Sequence, residues 1–297
     1  MKKLALSLLY LVLMLAVNSQ PVNAKILHSE KSLYRNIIVE QKGNKRCMVF
    51  GRMSRHPDKQ SCIDMSNPEY LVFSYTKLVM ASLDIQPNPN SILIIGLGGG
   101  TLPVSYESLY PTALIDTVEI DEAVVKVAEK WFKYKQTDKQ KVALVDGRVF
   151  VKRQIRRNKQ YDLVILDAFN GDYIPEHLMT EEFLTEIKQL LTANGLLVAN
   201  TFSKNKLYDN ESVTYQKVFG DFSYIHSVTS GNRIIYAQTH NNEIKLNALK
   251  NNQVIKKLEE IGVDLDEFRD RMRSRPDWDQ TARPLTDQYS PANLLNQ

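Results

Sequence analysis

Apolar runs of strand length alternate with amphipathic helical patterns through the middle of the chain. The runs predict five strands, at Ser91–Ile95, Ile115–Ile120, Val142–Val145, Tyr161–Leu166 and Gly195–Asn200. The helical patterns between them lie at Thr101–Tyr110, Glu122–Phe132, Arg148–Arg156 and Thr180–Leu191. Because strands buried on both faces alternate with helices in parallel sheets, this order indicates an α/β fold.

The pattern changes after the fifth strand, where two β-type runs are separated only by Ser230-Gly231-Asn232. The runs Tyr224–Thr229 and Arg233–Gln238 therefore predict a hairpin of two antiparallel strands. Five parallel strands followed by such a hairpin are typical of a methyltransferase-like, Rossmann-type sheet.

Shorter β-type runs come before this core and predict a small antiparallel sheet, followed by a helix at Pro68–Leu83. The runs are Asn36–Glu40, Arg46–Phe50 and Gln60–Met65. Cys47 and Cys62 fall on neighbouring strands of that sheet, either as a disulfide or as two buried free thiols. We expect a small β-domain at 25–67, a main domain at 68–240 and a helical extension at 241–297.

The first residues have the profile of a signal peptide. Lys2 and Lys3 precede an apolar stretch shorter than the roughly 18 residues that cross a bilayer, and Val22-Asn23-Ala24 follows it. We expect cleavage after Ala24 and export to the periplasm or the extracellular space. The alternative is an uncleaved amino-terminal anchor, and only in that case do we expect the protein to contact a membrane. The formal net charge of +4 is too small to favour nucleic acid as a partner.

Glycines at positions 96, 98 and 100 lie where the first core strand turns into a helix. A ligand can approach the backbone closely at such a turn. Thr101 stands where a G-x-G-x-x-G dinucleotide fingerprint requires glycine, so NAD is disfavoured. The G-x-G-x-G form fits a nucleoside without a pyrophosphate.

Acidic residues follow the next two strands. Glu119 ends the second strand, where its carboxylate can accept hydrogen bonds from ribose hydroxyls. Asp146-Gly147 follows the third strand, where the carboxylate can accept from an adenine amino group. For the acids that end the second strand, capping of the helix from Glu122 is the alternative role, and it suits Asp121 better than Glu119.

The fourth strand ends in a polar loop, Asp167 to Leu178, where catalytic residues are expected. A carboxylate there can hold an ammonium group and help it lose a proton. Asp167 is the first candidate and Asp172 the second, with helix capping as the alternative for Asp172. His177 has no ligand partners near it in the sequence, so no metal is expected.

Together these motifs resemble the spermidine and spermine synthase family over about Ser29 to Ala292. The glycine turn, Val118-Glu119-Ile120-Asp121, Asp146-Gly147 and Tyr161 to Asp167 carry the resemblance. A bacterial branch related to membrane-fused forms has the loop D-A-F-x-x-D-x-I-P-x-H-L and the ending L-T-D-x-x-x-P, which match Asp167 to Leu178 and Leu285 to Pro291.

The resemblance implies an aminopropyltransferase that uses decarboxylated S-adenosylmethionine and a polyamine such as putrescine, with a possible homodimer. Glu119 would bind ribose, Asp146 would lie near adenine, and Asp167 would bind and deprotonate the amine. The remaining substrate contacts are expected from Tyr75, Asn170 and Tyr236.

Three positions depart from the family's pattern. Asn170 replaces a second aspartate, Phe73-Ser74-Tyr75 lacks an acid of the family's Tyr-His-Glu segment, and Arg35 replaces a glutamine. Each lost carboxylate removes a charged hydrogen bond to an amine, worth roughly 1.5–3 kcal/mol. Two alternatives therefore stand beside the transferase: an S-adenosylmethionine-dependent methyltransferase, and an exported non-catalytic protein that binds a nucleoside or polyamine.

Overall fold

A computed structural model describes residues 24–51, 59–169, 174–239 and 244–291. The signal-peptide prediction thus concerns residues that lie, apart from Ala24, outside the described part of the chain. Within the described ranges the strands form two sheets, one of four strands and one of seven. No helix in these ranges is both long and apolar enough to cross a membrane.

The smaller sheet is antiparallel throughout, in the order β1-β2-β3-β4. Its strands are β1 (Lys25–Lys31), β2 (Asn36–Lys42), β3 (Lys45–Phe50) and β4 (Lys59–Asp64). The sequence predicted all but β1, whose side chains are largely exposed and give a weak apolar signal. Cys47 and Cys62 are register partners on β3 and β4 and form a disulfide, so the free-thiol alternative does not hold.

The larger sheet has the order β10-β11-β9-β8-β5-β6-β7. Its strands are β5 (Ser91–Ile95), β6 (Leu114–Glu119), β7 (Gln140–Leu144), β8 (Tyr161–Leu166), β9 (Leu191–Phe202), β10 (Ser223–His226) and β11 (Asn232–Gln238). Strands β5 to β9 are parallel, whereas β11 is antiparallel to both of its neighbours, β9 and β10. The predicted fold class is confirmed.

Helices cover both faces of this sheet. They are α1 (Ser74–Ala81), α2 (Thr101–Leu109), α3 (Glu122–Trp131), α4 (Gly147–Arg156), α5 (Glu181–Leu190), α6 (Tyr208–Phe219), α7 (Asn252–Glu260) and α8 (Leu265–Arg271). Helix α1 is shorter than predicted, and a 3-10 turn at Ser82–Asp84 continues it. Helix α6 was not predicted, because its buried face carries Glu211 and Thr214 in place of a clear apolar stripe.

Alternating side chains of the central strand β5 divide the core into two layers. Ile92 and Ile94 pack on the side of α1, α2, α7 and α8, whereas Leu93 and Ile95 face α4, α5 and α6. Leu258 of α7 and Phe268 of α8 are buried in the first layer, so these two helices contribute to the core. This packing leaves the carboxyl ends of the parallel strands facing the small sheet.

Candidate functional site

A cavity of about 830 Å³ opens at the carboxyl edge of the parallel strands. Strands β5, β6 and β8, the start of α1 and strand β4 of the small sheet all contribute to its wall. Seven of the residues predicted from the sequence meet there: Gly96, Gly98, Glu119, Asp146, Gly147, Asp167 and Tyr75. The edge therefore gathers the nucleoside-binding and acidic motifs around a single space.

The glycine turn brings the backbone of two strands unusually close. Gly96 has φ +105°, and a Cβ there would lie 2.2 Å from the carbonyl oxygen of Asp167. Only glycine fits this contact, which places the end of β5 directly beside the end of β8. Gly100 does not line the cavity, so the prediction that it contacts the ligand is wrong. It lies at the start of α2 and packs against the ring of Tyr134.

Glu119 is held by three backbone N–H groups at the end of β6. Its carboxylate accepts from Leu97 at 3.2 Å, from Ile120 at 2.9 Å and from Asp121 at 3.0 Å. Burial raises the pKa of Glu119, and these bonds together with the nearby Arg35 oppose the rise. Asp121 caps helix α3 by accepting from Ala123, as the sequence indicated.

Asp146 caps a helix, a role that the sequence analysis did not assign to it, and it also lines the cavity. One carboxylate oxygen caps α4 by accepting from the backbone N–H of Val149 at 3.0 Å. The other lies 2.8 Å from Nε2 of His177, and both side chains line the cavity. The described residues contain no cluster of three potential metal ligands, and His177 is engaged by a carboxylate.

Asp167 has two neutral hydrogen-bond donors. Asn200 donates to Oδ1 at 2.8 Å, and the hydroxyl of Tyr75 donates to Oδ2 at 3.3 Å. Burial raises the pKa of Asp167 to about 7, although both bonds act in the opposite direction. Burial and Asp167 raise the pKa of Tyr75 well above its usual value, so Tyr75 remains a donor. A carboxyl with a pKa near neutrality can exchange protons with a ligand.

Sequence reasoning missed several polar residues of the wall. Asn200 and Asn232 lie on β9 and β11, and the hydroxyl of Ser74 lies 2.7 Å from those of Ser227 and Thr229. Single polar residues on apolar strands carry no motif, so no local pattern could have found them. Register across β9 and β11 is what brings the two asparagines together.

Arg35, noted only as a departure from a pattern, connects the small sheet to the site. Its guanidinium stacks on Phe50, donates to the carbonyl oxygen of Phe169 at 3.3 Å and lies 3.7 Å from Asp121. The side chain is 11% exposed, and its Nε has no hydrogen-bond partner. The small sheet thus helps to form the cavity wall.

The structure does not bring Tyr236 to the cavity. Tyr236 is fully buried on β11, where its hydroxyl donates to the carbonyl oxygen of Leu78 and its ring meets Phe268 edge to face. The sequence showed a tyrosine near the sheet edge but not the face on which it lies. Asn170 and Asp172, the other two expected site residues, lie outside the described residues.

Comparisons with known proteins agree with this arrangement. A family model described as a spermine/spermidine synthase domain matches residues 72–251. The chain is 41% identical over 281 residues to a polyamine aminopropyltransferase of Vibrio vulnificus, with 91% of each chain covered.

Two solved structures share the fold. A probable spermidine synthase from Corynebacterium glutamicum has a TM-score of 0.63 at 20% identity, covering 87% of this chain and 99% of that one. A spermidine synthase in complex with the transition-state analogue AdoDATO has a TM-score of 0.57 at 19% identity, covering 80% and 89%. At these identities the two likenesses concern the fold alone.

Proposed function

Because the chain belongs to the spermine/spermidine synthase family, we propose that it transfers an aminopropyl group from decarboxylated S-adenosylmethionine to a polyamine such as putrescine. One observation carries the proposal. The half-buried carboxylate of Asp167, with a pKa raised to about 7, lines the same cavity as the glycine turn, Glu119 and Asp146.

The adenosine part of the donor would lie along the ends of β5, β6 and β7. Gly96, Gly98, Glu119 and Asp146 all line the cavity. The bare backbone at the two glycines would leave room for the nucleoside, Glu119 would accept from the ribose hydroxyls, and Asp146 would lie near the adenine. These groups offer acceptors for the donor's hydroxyls and amino group.

The acceptor would approach from the side of Asp167. Its ammonium group gives a proton to the carboxylate, which exposes the nitrogen lone pair. The nitrogen then forms a bond to the aminopropyl carbon next to sulfur, the carbon–sulfur bond breaks, and its electron pair stays on sulfur. The products are a secondary ammonium ion, which takes over the positive charge of the sulfonium, and neutral methylthioadenosine, with the first proton left on Asp167, so atoms and charge balance.

The test is incubation of the purified chain with decarboxylated S-adenosylmethionine and putrescine, followed by mass spectrometry. We expect methylthioadenosine and spermidine in equal amounts. S-adenosylhomocysteine formed from S-adenosylmethionine would support the methyltransferase alternative instead. Neither product, with methylthioadenosine bound in calorimetry, would contradict the proposal and favour a non-catalytic binding protein.

We also propose that the chain is exported and that it forms a homodimer. The Cys47–Cys62 disulfide supports export, because such bonds persist mainly in oxidising compartments. Amino-terminal sequencing of the protein from fractionated cells tests cleavage after Ala24, and retention of Met1 in a membrane fraction would favour the uncleaved anchor. Light scattering after gel filtration tests the dimer, which a monomer mass would contradict.

A further inference from the structure

We infer that Asn200 and Asn232 form a positioning pair that holds the Asp167 carboxylate in its ionised form and fixed orientation. The inference rests on the proposed function for its kinetic consequence, because an ionised Asp167 is the form that accepts the amine's proton. The pair itself is defined by hydrogen bonds. Neither asparagine is in any motif of the sequence.

The three side chains form a directed chain of hydrogen bonds. Asn232 Nδ2 donates to Asn200 Oδ1 at 2.8 Å, and Asn200 Nδ2 donates to Asp167 Oδ1 at 2.8 Å. Asn200 is 4% exposed, so water gives its carboxamide little alternative hydrogen bonding. Strands β9 and β11 hold the asparagines diagonally across from one another, since Asn232 pairs with Phe202 and Asn200 with Ile234.

A carboxamide has one donor end and one acceptor end, so its two partners decide which end faces which. Asn232 offers Asn200 a donor, which fixes the Oδ1 end on that side and turns the Nδ2 end toward Asp167. A donor facing a carboxylate favours the charged form, whereas an acceptor in the same place would favour the protonated form. Asn232 therefore acts on Asp167 through the orientation of Asn200.

Among the described residues, the other groups near Asp167 differ from Asn200 in distance or charge. Tyr75 of α1 donates at 3.3 Å, a longer contact than the 2.8 Å of Asn200, and it meets the other oxygen. Glu211, which lines a small pocket together with Asn200, is paired with the buried Arg233 at 2.8 Å. The other charged side chains on the described cavity wall are Arg35, Lys59, Glu119, Asp146, Glu176 and His177.

The experiment is a titration of the Asp167 carboxyl by ¹³C NMR, with the resonance assigned by its loss in Asp167→Asn. In Asn232→Leu, which is close in size but has no donor, we expect the titration midpoint to rise by about one pH unit, the scale of one charged hydrogen bond. Asn232→Ser, too short to reach Asn200, should shift it in the same direction. An unchanged midpoint in both variants would overturn the inference.

The matched control is Ser203→Ala. Ser203 donates to the carbonyl oxygen of Gly231 beside the same turn but does not line the cavity, so its variant should leave the midpoint unchanged. An equal shift in this control would mean that disturbance of the turn, not the asparagine pair, moves the carboxyl.

The titration needs no turnover, which separates this inference from the proposed function. If the midpoint rises while the wild-type chain makes no methylthioadenosine, the pair stands and the proposed function fails. If the chain is active, kcat/KM falls on the acid side of its pH profile as Asp167 becomes protonated. In Asn232→Leu the midpoint of that fall should move to higher pH by the same amount as the NMR midpoint. An acid limb that stays in place would contradict the kinetic part of the inference.

Discussion

The substitution Asp167→Asn changes one oxygen of the side chain to nitrogen and removes the proposed proton acceptor. Asn200 and Tyr75 both donate to Asp167, so the variant keeps an acceptor for one of them and the cavity keeps its shape. A positioned general base contributes typically 10²–10⁴ in rate. We expect kcat/KM with putrescine to fall by a factor in this range while methylthioadenosine binding changes little.

The raised pKa of Asp167 also predicts how the stability of the protein changes with pH. Burial raises the pKa of Asp167 from 3.8 to about 7, so the folded state holds this proton more tightly than the unfolded state. Stability is therefore lost as pH rises from about 4 to about 7, and the loss is complete above that range. The full shift corresponds to on the order of 4 kcal/mol, an upper bound because the cavity opens to water.

Urea denaturation at pH 5 and pH 8 measures this cost. Asp167→Asn cannot ionise, so it should gain stability over the wild type on going from pH 5 to pH 8, by about 1–3 kcal/mol. Asp270→Asn, at an exposed position, is the control and should show no such gain. A variant whose stability relative to wild type does not increase between pH 5 and pH 8 would refute the raised pKa of Asp167, and one that keeps full activity would refute its role as proton acceptor.

Three further predictions concern the surroundings of the site. Glu119→Gln should weaken methylthioadenosine binding in calorimetry about 10- to 100-fold, because a charged acceptor is lost; unchanged affinity would contradict ribose binding there. Gly96→Ala should lower the midpoint of thermal unfolding strongly or abolish folding, because its Cβ would meet the Asp167 carbonyl, and a native midpoint would contradict that close contact. Asp287→Asn should reduce the free energy of unfolding by about 1–3 kcal/mol, because it weakens the paired hydrogen bonds to Arg148. Urea unfolding measures this, and an unchanged free energy would show that the pair contributes little to stability.

Each of these variants has a matched control in the chain. Glu122→Gln changes an exposed acid close to Glu119 and should leave methylthioadenosine binding unchanged. Gly231→Ala adds a Cβ that meets nothing within 4 Å and should unfold near the wild-type midpoint. Glu260→Gln removes an exposed helical charge and should change stability by less than about 0.5 kcal/mol.

The sequence predicted the central sheet well because its strands are apolar on both faces. Ser91–Ile95 and Tyr161–Leu166 were predicted at their observed bounds, since each buried run ends at a glycine or an acid. These residues at the strand ends include Gly96, Glu119, Asp146 and Asp167. The sequence predicted them to lie together at the site, because parallel strands end at a common edge.

The sequence did not predict features that depend on which face of a strand a residue occupies or on pairing between distant strands. Tyr236 lies on the strand that approaches the site, yet its ring points into the helix layer beside Phe268. Asn200 and Asn232 are 32 positions apart and meet only through the antiparallel pairing of β9 with β11. Helix α6 was not predicted, because its buried face carries Glu211, which is paired with Arg233, and is therefore partly charged.

The contrast between two aspartates explains why the site suits an ammonium substrate. Arg148 lies 2.6 Å from Asp287 and, as the largest cause, lowers the pKa of that carboxyl, which makes it a weak base. Among the described residues, the side chains that hydrogen-bond to Asp167 are the neutral groups of Asn200 and Tyr75, so burial is the largest cause and its pKa rises to about 7. No cationic side chain in the described part of the chain pairs with Asp167, so this carboxylate can pair directly with a cation that enters the cavity, which favours a protonated amine. A fixed arginine in that place would remove both the attraction and the basicity.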